Sequence, residues 1–202
     1  QYADIRGPVD PAVFEAAARQ VAGEAQTLRL RFGESEAGPV QYVGEAPAQP
    51  LLRLDLSREA APFEAAMTWM RGRLDRPFDP LGGEPLFSWT LIKLADDRFL
   101  WAQIYHHLIL DGWSGHLVAS RVAAVYGALL EGRPATPPDG DDATVPLPIS
   151  LAELLNEQDR YRLSARWAAD RDRWLALLAE RPQPVGLAER RSPGPGAFHR
   201  QP

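Results

Sequence analysis

Two adjacent histidines, His106 and His107, close an apolar run just ahead of Asp111-Gly112, within Tyr105-His106-His107-Leu108-Ile109-Leu110-Asp111-Gly112-Trp113-Ser114. An imidazole with a pKa of about 6.5 can accept a proton at neutral pH, so a histidine at a strand end facing a cleft suits general-base chemistry. A strand turns alternate side chains to opposite faces. Trp101, Gln103, Tyr105 and His107 therefore share one side, and Ala102, Ile104 and His106 the other. Only one of the two histidines can enter any given cavity. Gly112 would permit a sharp exit from the strand into a following helix. A histidine pair by itself fits hairpin packing as readily as chemistry, but the spacing His-His-x-x-x-Asp-Gly arises by chance on the order of once in several thousand chains of this size.

The remaining candidates carry less. His116 falls one turn into a helical pattern and His199 in a Gly/Pro tail, so both read as surface or packing residues. Phe87, Trp89, Phe99 and Trp101 alternate as the core of a hairpin would. Asp139, Asp141 and Asp142 lie beside Pro137-Pro138 without EF-hand spacing and read as a solvated turn, not a calcium site. The chain has 0 cysteines, which removes disulfides, thiolate metal sites and a cysteine nucleophile, and fits a reducing cytoplasm. A net charge of -5 with no long basic run argues against nucleic acid as a partner. No apolar stretch approaches the roughly 20 residues of a membrane span, and no secretion signal opens the sequence, so a soluble, unexported protein is expected.

The elements that must position the histidines follow from periodicity and punctuation. Gln1–Gly7 reads as a short strand, and Asp10-Pro11 as a helix start whose apolar positions Phe14, Ala17, Val21, Ala25 and Leu28 lead to an end near residues 28–32. Strands are expected at Val40–Val43 and Leu51–Leu56, and a helix from Pro62 to about Leu74. Leu86–Leu94 and Phe99–His106, joined by Ala95-Asp96-Asp97-Arg98, form an antiparallel hairpin central in the sheet. Ser114 is a candidate N-cap for a helix striped by Leu117, Val118, Val122, Val125 and Leu129 and stopped by Gly132. Residues 133–148 read as an exposed connection, Ser150–Leu178 as helical with Trp167, Trp174 and Leu178 on one face, and the last dozen residues as linker. Strands mixed with helices, with 45% hydrophobic residues, predict an α/β (α+β) sandwich with its own core.

The sequence resembles the condensation domains of nonribosomal peptide synthetases, whose HHxxxDG hallmark stands intact at His106–Gly112 and is continued by Trp113-Ser114. Further landmarks occur in order over essentially the whole chain: Gly7-Pro8-Val9-Asp10, Leu28-Arg29-Leu30-Arg31-Phe32, Pro77-Phe78-Asp79, Glu84-Pro85-Leu86-Phe87, and Tyr161 to Glu180 ahead of Pro182. The resemblance implies a lobe like that of chloramphenicol acetyltransferase, a mixed, largely antiparallel sheet with helices packed on it. It places residues 1–189 in an N-terminal lobe and 190–202 at the start of a linker to a C-terminal lobe. It departs from the family's pattern at Ala25-Gln26, where His-Glu is usual, and at Ser88, where arginine is usual. The family's first motif, upstream of Gly7, and the second lobe with its latch and floor segments are not in the sequence.

What the resemblance implies chemically is amide formation, an acyl transfer from a donor carrier-protein thioester to the amine of an acceptor carrier-bound aminoacyl group, in antibiotic or siderophore biosynthesis. The role of the motif's second histidine carries to His107, as proton acceptor or as the group that positions the amine. His106, Asp111 and Gly112 complete the catalytic set, with Gly112 shaping the backbone near the reacting carbonyl. Asp111 would form a structural ion pair with Arg29, although an acid at this point also suits the N-terminus of the next helix. No metal or tightly held cofactor is implied; phosphopantetheine arms arrive on donor and acceptor carrier proteins, and an adenylation domain is the expected neighbour. The family's tunnel lies between two lobes, so one lobe alone is expected to fold without catalysing. The alternatives are an epimerization domain, which shares the motif but usually continues it differently, and an inactive condensation-like docking module, whose motif is usually eroded.

Overall fold

The computed structural model describes residues 1–134 and 150–179. The chain divides into two compact units, Gln1–Glu153 and Leu154–Pro202. The first holds β1 (Tyr2–Arg6), α1 (Pro11–Glu24), a short 3-10 helix (Gln26–Arg29), β2 (Leu30–Ser35), β3 (Gly38–Val43), β4 (Leu51–Asp55), α2 (Pro62–Leu74), β5 (Phe87–Ala95), β6 (Arg98–Tyr105) and α3 (Gly112–Leu130). The strands order as β1-β6-β5-β4, with β4 parallel to β5 and the other pairs antiparallel, while β2 and β3 form a separate hairpin.

The central hairpin, β5 and β6, forms where the sequence places it, with Ala95 opposite Arg98 across Asp96-Asp97. Its strands read as continuous apolar runs because both faces are covered. Phe87, Trp89, Leu91, Phe99 and Trp101 join Phe14, Ala17 and Val21 of α1 and Val118, Val122 and Val125 of α3 in one core. The alternate residues Ile92, Leu94, Leu100 and Ala102 pack with Ala66 and Met70 of α2 in a second. At the first core's centre Phe14 and Trp101 meet edge to face at 5.3 Å, with Trp101 at 5.7 Å from Trp89. Burying five such large aromatic and aliphatic side chains at about 1.5–3 kcal/mol each outweighs the loss of any one surface contact.

α1 starts as its sequence requires, with the Asp10 carboxylate accepting from the Ala12 and Val13 amides at 2.8 and 3.1 Å. It ends earlier than the apolar spacing predicts, at Glu24, because Ala25 turns extended (φ -77°, ψ 99°). Residues 30–32, expected near the end of that helix, instead open strand β2, paired in register from Leu30 opposite Val43 to Ser35 opposite Gly38. Gly38, at φ 111°, supplies the backbone conformation that closes this hairpin. α3 is capped by Asp111, three residues before the expected Ser114 cap, and Gly132 at φ 67° follows its end.

The helical pattern over residues 150–178 is two helices, α4 (Leu151–Arg162) and α5 (Ala165–Leu177). Ser164 separates them by leaving helical geometry and capping α5: its hydroxyl accepts from the Trp167 amide at 3.2 Å and donates to the Tyr161 carbonyl at 2.6 Å. Trp174 and Leu178 are exposed in this second unit. The aspartates at 139, 141 and 142, His199 and the expected linker 190–202 lie outside the described residues. Among the described residues no helix is long and apolar enough to cross a membrane.

Candidate active site

At the end of β6 the ladder runs one residue past the strand, with the His106 amide donating to the Leu86 carbonyl at 2.9 Å. The chain then turns. The His106 carbonyl accepts from the Ile109 amide at 3.1 Å, and its Nδ1 accepts from the Leu108 amide at 3.1 Å. Those contacts use the His106 ring to hold the turn and leave it half-buried. His107 points the other way. It is exposed, and it lines a cavity of about 210 Å³ with Gln103, Tyr105, Leu110, Asp111 and Gly112. One histidine of the pair braces the loop and the other, two residues past the end of β6, lines the cavity.

Tyr105 and Gln103 form a polar base under this cavity. The Tyr105 hydroxyl donates to Gln103 Oε1 at 2.9 Å and accepts from the Trp89 indole N–H at 2.8 Å. Burial holds the phenol well above its usual pKa, so Tyr105 stays protonated and is a donor at neutral pH. Gln103, only 3% exposed, and Tyr105 lie on the strand face that alternation assigns them, and a glutamine within an apolar strand is the local signal that marks this network. Ile104 lines the cavity from β6 between these two, and Gln1, Leu74 and Gly115 come from other elements with no local pattern to reveal them. Gly115 sits where a Cβ would come within 3.2 Å of Leu110 Cδ2 and 3.3 Å of Gln1 Nε2, so a side chain there would press into the cavity wall.

Asp111 is not paired with Arg29. Its carboxylate caps α3, accepting from the Ser114 amide and the Ser114 hydroxyl, each at 2.7 Å. Arg29 donates to the Gly44 carbonyl at 3.3 Å, and its Nε is buried without a hydrogen-bond partner. The cap wins for a geometric reason: Asp111 is the residue before α3, where the unpaired amides of the first turn lie within reach. Gly112 also differs from expectation. It is the first residue of α3 with φ outside the positive region, and a Cβ there would meet nothing within 4 Å, so the fold does not need its glycine for the turn. His116 is exposed, 6.2 Å from the Trp113 ring.

The Ser114 amide, and after it the Ser114 hydroxyl, hold the Asp111 carboxyl below the usual carboxylate range. A lowered folded value means the cap's stabilisation is present above the unfolded carboxylate pKa and is lost as pH falls through the folded one. Asp111→Ala should lower the melting temperature at pH 7 by about 2–4 °C, and Asp111→Asn, which retains an acceptor, by less. The difference between Asp111→Asn and the parent chain should vanish below the folded pKa. Melts from pH 7 to pH 2 check this, and a deficit for Asp111→Ala that Arg29→Ala abolishes would restore the ion pair.

The condensation-domain family model matches residues 1–201. A dimodular nonribosomal peptide synthase of Bacillus subtilis is 40% identical over 94% of the chain, which spans 8% of that protein. An isonitrile lipopeptide synthase of Streptomyces coeruleorubidus is 38% identical over 100% of the chain and 13% of its own length. The solved starter condensation domain of rhizomide synthetase, as a variant in complex with C8-CoA, superposes with a TM-score of 0.80 at 42% identity over 96% of this chain and 42% of that one. The first condensation domain of the calcium-dependent antibiotic synthetase, in complex with a substrate analogue, gives 0.75 at 33% identity, over 92% and 43%. The chain thus spans a small part of its curated relatives and less than half of the solved condensation domains.

Proposed function

The chain belongs to the condensation-domain family of nonribosomal peptide synthetases, and from that premise we propose that it carries the histidine of amide-bond formation between two carrier-bound substrates. The observation that carries the reading is His107, exposed on a cavity that Asp111 and Gly112 also line, while His106 is spent on the turn. The acceptor's amine nitrogen attacks the thioester carbonyl carbon of the donor. The C–N bond forms, the C–S bond breaks, and the proton lost by nitrogen passes by way of His107 to the departing thiolate. His107 also orients the amine beside the carbonyl, and the two roles use the same position.

Residues 1–189 act in this reading as the N-terminal lobe and 190–202 as the start of the link to the C-terminal lobe, a division favoured by the 42% coverage of a solved condensation domain. Donor and acceptor carrier proteins bring their phosphopantetheine arms to the cavity in the cytoplasm, next to an adenylation domain. The C8-CoA complex of the rhizomide relative supports delivery on such an arm, since coenzyme A ends in the same pantetheine thiol. Asp111 acts by fixing the first turn of α3, and Gly112 by leaving open space where a side chain would stand beside the substrate.

The test is amide formation between two separately loaded carrier proteins, followed by mass spectrometry, with the domain in an intact synthetase. Joined product is expected. Exchange of the Cα hydrogen of a single carrier-bound aminoacyl group in D₂O, with no joined product, would replace condensation by epimerization.

A further inference from the structure

The polar network under the histidine cavity runs in one direction. The Trp89 indole N–H can only donate, and it takes the Tyr105 oxygen at 2.8 Å. The Tyr105 proton is thereby sent on to Gln103 Oε1 at 2.9 Å, and Gln1 Nε2 donates to the same oxygen at 3.3 Å. Burial keeps the Tyr105 phenol protonated, so the direction holds at neutral pH. The carbonyl end of the Gln103 amide is therefore occupied, and its Nε2 end is the one left over. Nε2 has no hydrogen-bond partner among the described residues, although Gln103 is only 3% exposed and lines the cavity that His107 lines. A buried amide with unused N–H groups, beside the apolar Leu74, Ile104 and Leu110, costs free energy until an acceptor reaches it.

We infer that Gln103 is a specificity-determining residue, and that its Nε2 receives an acceptor oxygen carried on the substrate group that enters the cavity. The inference rests on the condensation reading for what reacts at His107, and adds the chemistry of that group: a carbonyl-type oxygen set back from the reacting centre. Spacing gives the set-back. The β6 ladder is regular from Gln103 to the His106 amide, so at about 3.3 Å per residue the two Cα atoms stand roughly 10 Å apart. That places the amide away from the carbonyl beside His107 and against a remoter part of the same substrate. A ketone satisfies Nε2 where a methylene at the same position leaves it unpaired, and an ammonium group brings donors against donors. The oxygen can sit on the donor's acyl chain or on the acceptor's side chain. Both offer Gln103 the same acceptor.

Calorimetric titration of the chain separates these sources with two sets of pantetheine thioesters. One holds hexanoyl, oxohexanoyl and aminohexanoyl groups, the other norleucyl, oxonorleucyl and lysyl groups, and the ketone is moved along the chain in each. In one set the Kd of the best-placed ketone should lie about 3–10-fold below that of its hydrocarbon counterpart, and the Kd of the ammonium counterpart above it. A gain confined to the acyl set assigns the oxygen to the donor, and one confined to the aminoacyl set assigns it to the acceptor. Gln103→Met, which keeps an unbranched stem without the donor, should bind ketone and hydrocarbon alike. Independently of that variant, the Gln103 side-chain amide protons of the isotope-labelled parent chain should move downfield in NMR spectra on ketone binding and not on hydrocarbon binding. Equal Kd values for ketone and hydrocarbon in both sets, amide protons that ignore the ketone, or a gain that folded Gln103→Met retains, overturn the inference. So does a loss in Gln103→Met that falls equally on every guest, which would put the amide on the pantetheine arm instead. Equal binding with amide formation intact leaves the condensation reading standing; ketone selectivity without amide formation in the synthetase assay removes that reading and keeps the Gln103 site.

Discussion

His107→Ala is expected to lower single-turnover amide formation by about 10²–10⁴-fold while leaving the melting temperature of the chain unchanged. The two halves of that expectation come from one observation. His107 is exposed on the 210 Å³ cavity and makes no hydrogen bond among the described residues, so its removal takes nothing from the core. Surface changes of this kind usually stay within about 0.5 kcal/mol. His106→Ala should show the reverse pattern. It removes the acceptor for the Leu108 amide and part of a half-buried ring, costing about 1 kcal/mol, and it reduces turnover only by loosening the loop. Rapid-quench assays with pre-loaded carriers, alongside thermal melts, measure both. Near-parental turnover in a folded His107→Ala domain would remove His107 from the chemistry, and a larger turnover loss in His106→Ala would exchange the two roles.

A period of two within β6 groups Gln103 with Tyr105 from the sequence alone, whereas His107 lies two residues past the strand's end and owes its exposure to the turn that follows. The same locality made α2 legible, since Pro62 suits the first turn of a helix and no other, and made the β5–β6 hairpin legible from its two-residue Asp96-Asp97 turn. β2 was hidden for the complementary reason. Leu30 and Phe32 alternate with Arg29 and Arg31 at the period of a strand, but the run is short and follows the apolar stripe of α1 directly, and its extent is set by pairing with β3, a partner the segment itself does not specify. Arg29 shows the limit most clearly. The resemblance supplies a partner for it in Asp111, 82 positions away by sequence number, but the carboxylate finds its amides three residues onward and takes them instead. Gln1 and Leu74 reach the cavity from β1's edge and the end of α2, and no window of sequence holds both.

Glu24 and Arg121 are a further pair that no local pattern reveals, and their separation by 97 positions is closed by the packing of α1 on α3. The guanidinium Nε donates to Glu24 Oε2 at 2.9 Å and Nη2 to Oε1 at 3.0 Å, with the Arg121 side chain 6% exposed and Glu24 20%. This fork-to-carboxylate geometry is the strong form of an ion pair, and Gln20 Nε2 adds a third donor to Glu24 at 2.7 Å. Water is largely excluded, so neither charge is well solvated if its partner goes. Glu24→Ala should therefore cost about 3–5 kcal/mol, a loss large enough to unfold a marginal domain. Arg121→Met should cost less, because a methionine fills much of the arginine stem's volume and Glu24 lies nearer to solvent. The combined Glu24→Leu, Arg121→Met chain should recover most of the Glu24→Ala loss, since an apolar pair of similar volume leaves no charge to desolvate. Urea melts of the three variants and the parent measure this cycle. Additive losses in the double variant would mean that the two side chains act independently, and that α1 is held to α3 by its apolar stripe of Phe14, Ala17 and Val21 alone.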